Sequence, residues 1–239
     1  MIKDGRMIEP IYLRAFGAVI LLLLAAIVAL SLAGRKKSVA QSSDAGKSKM
    51  PMMALELPKN VNDIRDNVGD LGNARRAAML RDLTPDSLLF IPSYTFFFLA
   101  MSWLLTQRRF SWALWLGIIA GACGIGAAVL DYMENANIRA LLETGLAETT
   151  QQMIDSARHV SLCKWALSFI TTGLLSTLFL WRRDAIVLLG FLYALTALVG
   201  LVGLIYRPAI GWAFGLMGLA TLSVIIVFCV FAGRFLQEL

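Results

Sequence analysis

The chain has 239 residues, 58% hydrophobic and only 16% charged, against about 25% charged in an ordinary soluble domain, which excludes that class. Its net charge of +6 comes without any basic stripe interleaved with aromatics, so the composition argues against nucleic acid as a partner and for basic residues placed at the edges of membrane loops. The three cysteines, Cys123, Cys163 and Cys229, form no C-x-x-C, and His159 is the single histidine; this leaves no disulfide framework, no metal set of the usual Cys/His kind and no cofactor motif.

Six apolar runs can be read in chain order: Ala15–Ala33, Leu88–Leu105, Trp112–Leu130, Leu162–Trp181, Ala185–Tyr206 and Ala209–Ala232. Each approaches the roughly 20 residues that a helix needs to cross a bilayer. Backbone groups in lipid must be satisfied internally, so the runs are predicted to be helices. A β-barrel would show alternating segments of about ten residues. The expected fold is therefore all-α: a polytopic integral membrane bundle of about six transmembrane helices, with an extramembrane loop containing one or two short helices. Its predicted parts are an N-terminal anchor helix (1–33), an extramembrane linker with an amphipathic helix (34–83) and a five-helix membrane bundle (84–239).

The first run is followed by Arg35, Lys36 and Lys37, and then by "SVA", which has the form of a signal-peptidase site. The run is longer than a signal peptide's apolar region, and the basic residues lie between it and that site, so an uncleaved anchor is expected. The following stretch, Gly34–Met50, is a Ser/Lys/Ala/Gly linker that buries no core. Its "GKS" lacks the upstream glycine, strand and helix of a phosphate-binding loop.

Order is expected to return at Pro58. Asn60 is placed to cap a helix, with Asp63 in its first turn. Val61, Ile64, Val68 and Leu71 recur on one helical face. This short amphipathic helix could lie on the membrane surface or pack on the outer ends of the bundle, and as part of an accessory subunit it would offer a docking surface for a membrane protein partner. A second short helix, Ala74–Leu83, leads into "TPDS". There Thr84 is expected as a cap, with Pro85 at the first position of the next helix and Asp86 meeting its dipole. Pro92 can kink this helix beside Tyr94. Small residues four apart, at Gly117/Gly121, Ala120/Gly124/Ala128 and Gly211/Gly215, predict close helix packing within the chain.

Asp131 arrives nineteen residues after Trp112, about 28 Å along a helix and so near the end of the hydrocarbon core. Asp131, Glu134, Asn135 and Ile138 share one helical face, continuing to about Glu143 with a stop at Gly145. Thr149 with Gln152 matches a capping box for the next helix. An antiparallel hairpin turning near Gly145–Glu148 brings Asp131 level with Lys164, Arg139 level with Asp155, and Glu134 level with Ser161, within reach of Lys164 or His159. Two ion pairs are therefore expected, Asp131–Lys164 and Arg139–Asp155. Asp86, Tyr94, Asp131, Glu134, Asn135, His159 and Lys164 are candidates to line one polar, outward-opening pocket, or else to form a polar network holding three helices in register.

The short basic loops "QRRF" (Gln107–Phe110) and "WRRD" (Trp181–Asp184) indicate cytoplasmic N- and C-termini. The first loop opposes this with ten Lys/Arg between Arg35 and Arg81, but at its length of about fifty residues the charge rule acts weakly.

In "FIPxY" (Phe90–Tyr94), "DxxEN" (Asp131–Asn135) and "KW" (Lys164–Trp165) the chain resembles a family of uncharacterised bacterial polytopic membrane proteins. That resemblance covers roughly Ala54 to Trp181 and implies a bacterial cytoplasmic (inner) membrane location without an activity. Three functions compete. The first is a non-catalytic accessory or assembly subunit of a membrane complex. The second is a small transporter or proton-coupled carrier using Asp131, Glu134 and Lys164, and the third is an enzyme acting on a lipid or isoprenoid. The enzyme would use Glu134 as acid or base, with His159 or Tyr94 as its partner.

Overall fold

The computed structural model describes residues 55–106, 111–181 and 186–238. The first apolar run, the linker with its "GKS" and most of the two short basic loops lie outside them. The described residues are helical and contain no strand. We number the helices α1 (Val61–Val68), α2 (Ala74–Pro85), α3 (Ile91–Thr106), α4 (Ser111–Glu143), α5 (Gln151–Leu180), α6 (Val187–Ile205) and α7 (Pro208–Glu238). Among the described residues five helices are long and apolar enough to cross a membrane: α2 running on into α3 as Ala74–Thr106, then α4, α5, α6, and α7 through Val227. Helices α4 and α5, at 33 and 30 residues, are about 50 and 45 Å long, well beyond the 30 Å of a hydrocarbon core.

The described chain forms two compact units. One comprises residues 55–94 and Ile125–Trp165; the other comprises Thr95–Gly124 and the chain from Ala166 onward. The second unit is the more apolar, and glycine lets its helices approach closely. A β-carbon on Gly117 would lie 2.2 Å from Thr106 Cγ2 and 2.9 Å from the Ser102 carbonyl oxygen, while one on Gly200 would overlap the Phe169 ring. These are the close approaches expected of small residues in a membrane bundle. Gly211 and Gly215 differ, since nothing among the described residues lies within 4 Å of a β-carbon built on either. Thr171, Thr172 and Thr196 donate to the carbonyls of Leu167, Ser168 and Leu192 at 2.8–2.9 Å, so these three hydroxyls are buried with a partner. Trp115, Ile118, Leu188, Phe191, Leu198 and Trp212 are among the exposed large side chains, as lipid contact requires.

The first unit has its own apolar core. Leu55, Ile64, Val68, Met79 and Leu83 pack with Ile138, Leu141, Leu142, Ile154 and Ala157. Asn60 Oδ1 caps α1, accepting from the Asp63 amide at 3.1 Å. The proposed docking face must be corrected. Ile64 and Val68 are fully buried in this core, and Val61 packs against it. Leu71 lies beyond the helix and is exposed. A short amphipathic helix gains more by burying its face against the chain's own helices than by waiting for a partner.

Two predicted helix starts are also corrected. Thr84 caps nothing among the described residues, because α2 runs through Pro85 into a π turn, Asp86–Phe90, and on into α3. The Ile91 amide bonds to the Asp86 carbonyl five residues back. This turn lies between Pro85 and Pro92, each of which removes an amide donor and crowds the carbonyl four residues earlier. One extra residue in the turn relieves both demands without ending the helix. At the start of α5 the cap is Thr150, whose Oγ accepts from the Met153 amide at 3.3 Å. Thr149 instead donates to the Gly145 carbonyl at 2.9 Å, closing the turn.

Helix α4 ends at Glu143 with help from another helix. The guanidinium of Arg76, on α2, donates to the Thr144 carbonyl at 2.6 Å and to the Leu141 carbonyl at 3.2 Å. A buried cation thereby satisfies carbonyls that the helix end leaves open and meets the negative end of its dipole. Nearby, Asp70 Oδ1 accepts from the amides of Leu71 at 2.8 Å and Leu146 at 3.1 Å. These two amides, Leu146 first, hold the exposed Asp70 carboxyl below its usual 3.8.

Candidate functional site: a buried ammonium among carboxylates

All the polar residues of interest fall in the first unit. In α4 the helical period turns Asp131, Glu134 and Ile138 to one side, and all three are buried. In α5 Ala157, Ser161 and Lys164 recur at spacings of four and three on the facing side and are likewise buried. The hairpin between them turns at residues 144–150, where the amides of Glu148 and Thr149 both bond to the Gly145 carbonyl at 3.0 Å.

Lys164 is the centre. Its Nζ lies 3.3 Å from Asp131 Oδ1, pairs with Glu134 Oε2, and lies 3.5 Å from Glu56 Oε2. It also stands 4.7 Å from the centre of the Trp165 ring. Its three carboxylate partners have further bonds of their own. The second oxygen of Glu134 accepts from Ser161. Asp131 Oδ2 accepts from the Tyr94 hydroxyl at 2.9 Å. Glu56 Oε2 accepts from Trp165 Nε1 at 3.0 Å. Only 1% of the Glu134 side chain and 8% of Lys164 is exposed, so attraction between them is little screened by water.

Asp86 and Asn135 form a second group. Asn135 Nδ2 donates to Asp86 Oδ2 at 2.7 Å and to Ser87 Oγ at 3.0 Å, and Tyr132 donates to the Ser87 carbonyl at 2.9 Å. The π turn thus presents Asp86 and Ser87 to α4. π turns often mark functional positions; here it supports a polar joint.

Of the seven candidates, Tyr94, Asp131, Glu134 and Lys164 meet directly, and Asp86 meets Asn135. His159 is exposed on α5, apart from this buried set. The expected pair Arg139–Asp155 is corrected: it is absent from the ion pairs among the described residues. Asp155 accepts from Gln151 at 3.0 Å, and Arg139 is exposed. Hairpin register sets the level of a residue but not its direction. Ile138 and Ile154 occupy the buried faces, and the residue after each is turned away by about 100°.

Glu56 is the participant that sequence reasoning missed, because order was expected only from Pro58. The available signal was "LELP", a lone acid between two leucines. Leu55, Leu57 and Pro58 are all buried, which carries Glu56 inward with them.

No group of three or more metal-ligating side chains of the His/Cys/Asp/Glu kind with metal-holding geometry occurs among the described residues. The chain matches no family model, no curated protein and no solved structure.

Proposed function

We propose that the chain is a non-catalytic multi-pass membrane protein, an accessory or assembly subunit of a larger membrane complex. The observation that supports this reading most is the closure of the Lys164 cluster. The ammonium takes three carboxylates, and each carboxylate has a second donor from Ser161, Tyr94 or Trp165. A network so fully satisfied fixes helix positions and keeps its ion pairs engaged with one another. Extraction in mild detergent followed by native mass spectrometry tests the assignment. A stable heteromeric complex is expected, and a chain recovered only as a monomer contradicts it.

One observation favours a second reading. Three carboxylates share a single ammonium, and an excess of acidic groups around one cation is the kind of arrangement a proton-coupled carrier would use. In proteoliposomes, flux abolished by Glu134→Gln would support the carrier. Flux unchanged by that substitution removes it. The lipid-enzyme reading loses one of its two expected partners, since His159 is exposed, and the other, Tyr94, is bonded to Asp131.

The same reading places the chain in a bacterial cytoplasmic membrane with both termini inside. It takes 1–33 as an anchor helix, 34–83 as the extramembrane part and 84–239 as the bundle. The first apolar run would then supply a sixth span.

A further inference from the structure

A groove of about 310 Å³ runs between the π turn region and α4, lined by Leu83, Ser87, Tyr132, Ala136, Arg139 and Glu143 among others. We infer that it binds the headgroup of a phosphatidylethanolamine-type phospholipid, with the phosphate on Arg139 and Ser87 and the primary ammonium on Glu143.

The chemistry along the groove follows the profile of such a lipid. The exposed stripe of α4 passes from Val129 through Tyr132 and Ala136 to Arg139 and Glu143, that is, from apolar to aromatic to small to charged. At its apolar end Leu88, Leu89 and Met133 are also exposed, giving acyl chains a surface. Tyr132 stands 21 residues after Ser111, the first residue of α4, about 30 Å along the helix and so at the edge of the hydrocarbon. Aromatic side chains with one polar end favour that level. Arg139 is seven residues, about 10 Å, further on, and helical side chains lean toward the N-terminus, which brings its guanidinium back toward the headgroups.

The two charges are arranged for a zwitterion. Arg139 and Glu143 are four residues apart on one face, about 5–6 Å between β-carbons. Both are exposed and no ion pair joins them. Arg preceding Glu is the less favourable order for such a pair, so each charge is available to a ligand that brings the opposite sign to both. An ethanolamine phosphate carries its two charges across a two-carbon bridge, a span of this scale. Ser87 Oγ already accepts from Asn135, which leaves its proton for a phosphate oxygen. A choline headgroup has no N–H to give Glu143, so the site should distinguish the two lipids.

The test is native mass spectrometry of the full-length protein released from nanodiscs of equal dioleoyl phosphatidylethanolamine, phosphatidylcholine and phosphatidylglycerol. Wild type should retain phosphatidylethanolamine in preference to the other two. Arg139→Ala should reduce that retention about tenfold, the loss of one strong charge-assisted contact. Glu143→Gln should erase the preference over phosphatidylcholine while some phosphate-dependent binding persists. Ala136→Trp, which fills the groove without changing charge, should abolish retention. All three positions are exposed, so the fold should survive, as circular dichroism can check. Equal retention of the three lipids, preference for phosphatidylglycerol, or retention unaffected by Arg139→Ala would each overturn the inference.

Discussion

Single side chains in this protein act at the ends and joints of helices. Arg76 acts this way outside the Lys164 cluster, because one fork closes two carbonyls at the end of α4. Arg76→Ala should destabilise the protein by about 2–3 kcal/mol, the range for buried hydrogen bonds to a charged donor. Arg76→Lys should recover only part of this, because an ammonium cannot reproduce the fork; unfolding in mild detergent reads both. Asp70 sets a pH dependence of known sign. Its folded-state pKa lies below the usual 3.8, so its contribution is complete above that value. It is lost as the pH falls through the lower folded value. Protection of the Leu146 amide, its exchange rate relative to the intrinsic rate at each pH, should therefore hold down to the usual carboxylate range and fall only on further acidification. Protection unchanged through that range, with the protein still folded, would remove the role given to Asp70.

At the scale of the helices, glycine placement decides which contacts tolerate growth. A β-carbon on Gly117 meets the backbone oxygen of Ser102 and the methyl of Thr106, whereas on Gly121 its nearest neighbour is a Leu99 methyl at 3.3 Å. A helix carbonyl cannot withdraw without moving its helix, but a leucine methyl can turn aside. Gly117→Ala should therefore cost about 1–3 kcal/mol as overpacking, and Gly121→Ala should remain within about 0.5 kcal/mol of wild type. Equal effects in a detergent unfolding assay would contradict this account of the α3–α4 contact. The π turn belongs to the same scale. "TPDS" has the pattern of a fresh helix start, and such starts are recognised by local signals alone. What prevailed is non-local: Leu83 is buried among residues of α4 and α5, while Asp86 and Ser87 are bonded to Asn135. Continuing the helix keeps all three engaged at the cost of one π turn.

For the whole molecule, the apolar runs were legible because the bilayer imposes length and composition on each span separately. The last five runs correspond to the five described helices that can cross a membrane, and the first lies outside the described residues. Part of the candidate site was legible for a similar reason. An antiparallel hairpin ties residue numbers to levels, and this brought Lys164 to Asp131 and Ser161 to Glu134. Direction around each helix was not contained in that rule, hence the failure for Arg139 and Asp155. Glu56 was hidden because its segment, "LELP", is too short to show a period, so only the lone acid between two leucines marks it off from the linker before it. Orientation is a prediction at this scale. A cysteine introduced in place of Ala147, in an otherwise cysteine-free background, should react with an impermeant maleimide from the extracytoplasmic side. Labelling only after the cytoplasmic side is opened would reverse the topology and the proposed cytoplasmic termini together.

The central claim is that the Lys164 cluster is a structural clasp. A double-mutant cycle on Lys164 and Glu134, read by unfolding free energy in mild detergent, tests it most directly. Lys164→Met leaves Glu56, Asp131 and Glu134 without their shared ammonium and should cost about 3–5 kcal/mol, as breaking a buried ion pair does. With a clasp, adding Glu134→Gln should cost much less in the Lys164→Met background than in wild type, giving a coupling of about 1–3 kcal/mol. Additive effects of the two substitutions, with no coupling between a buried lysine and the carboxylate it pairs with, would contradict the account.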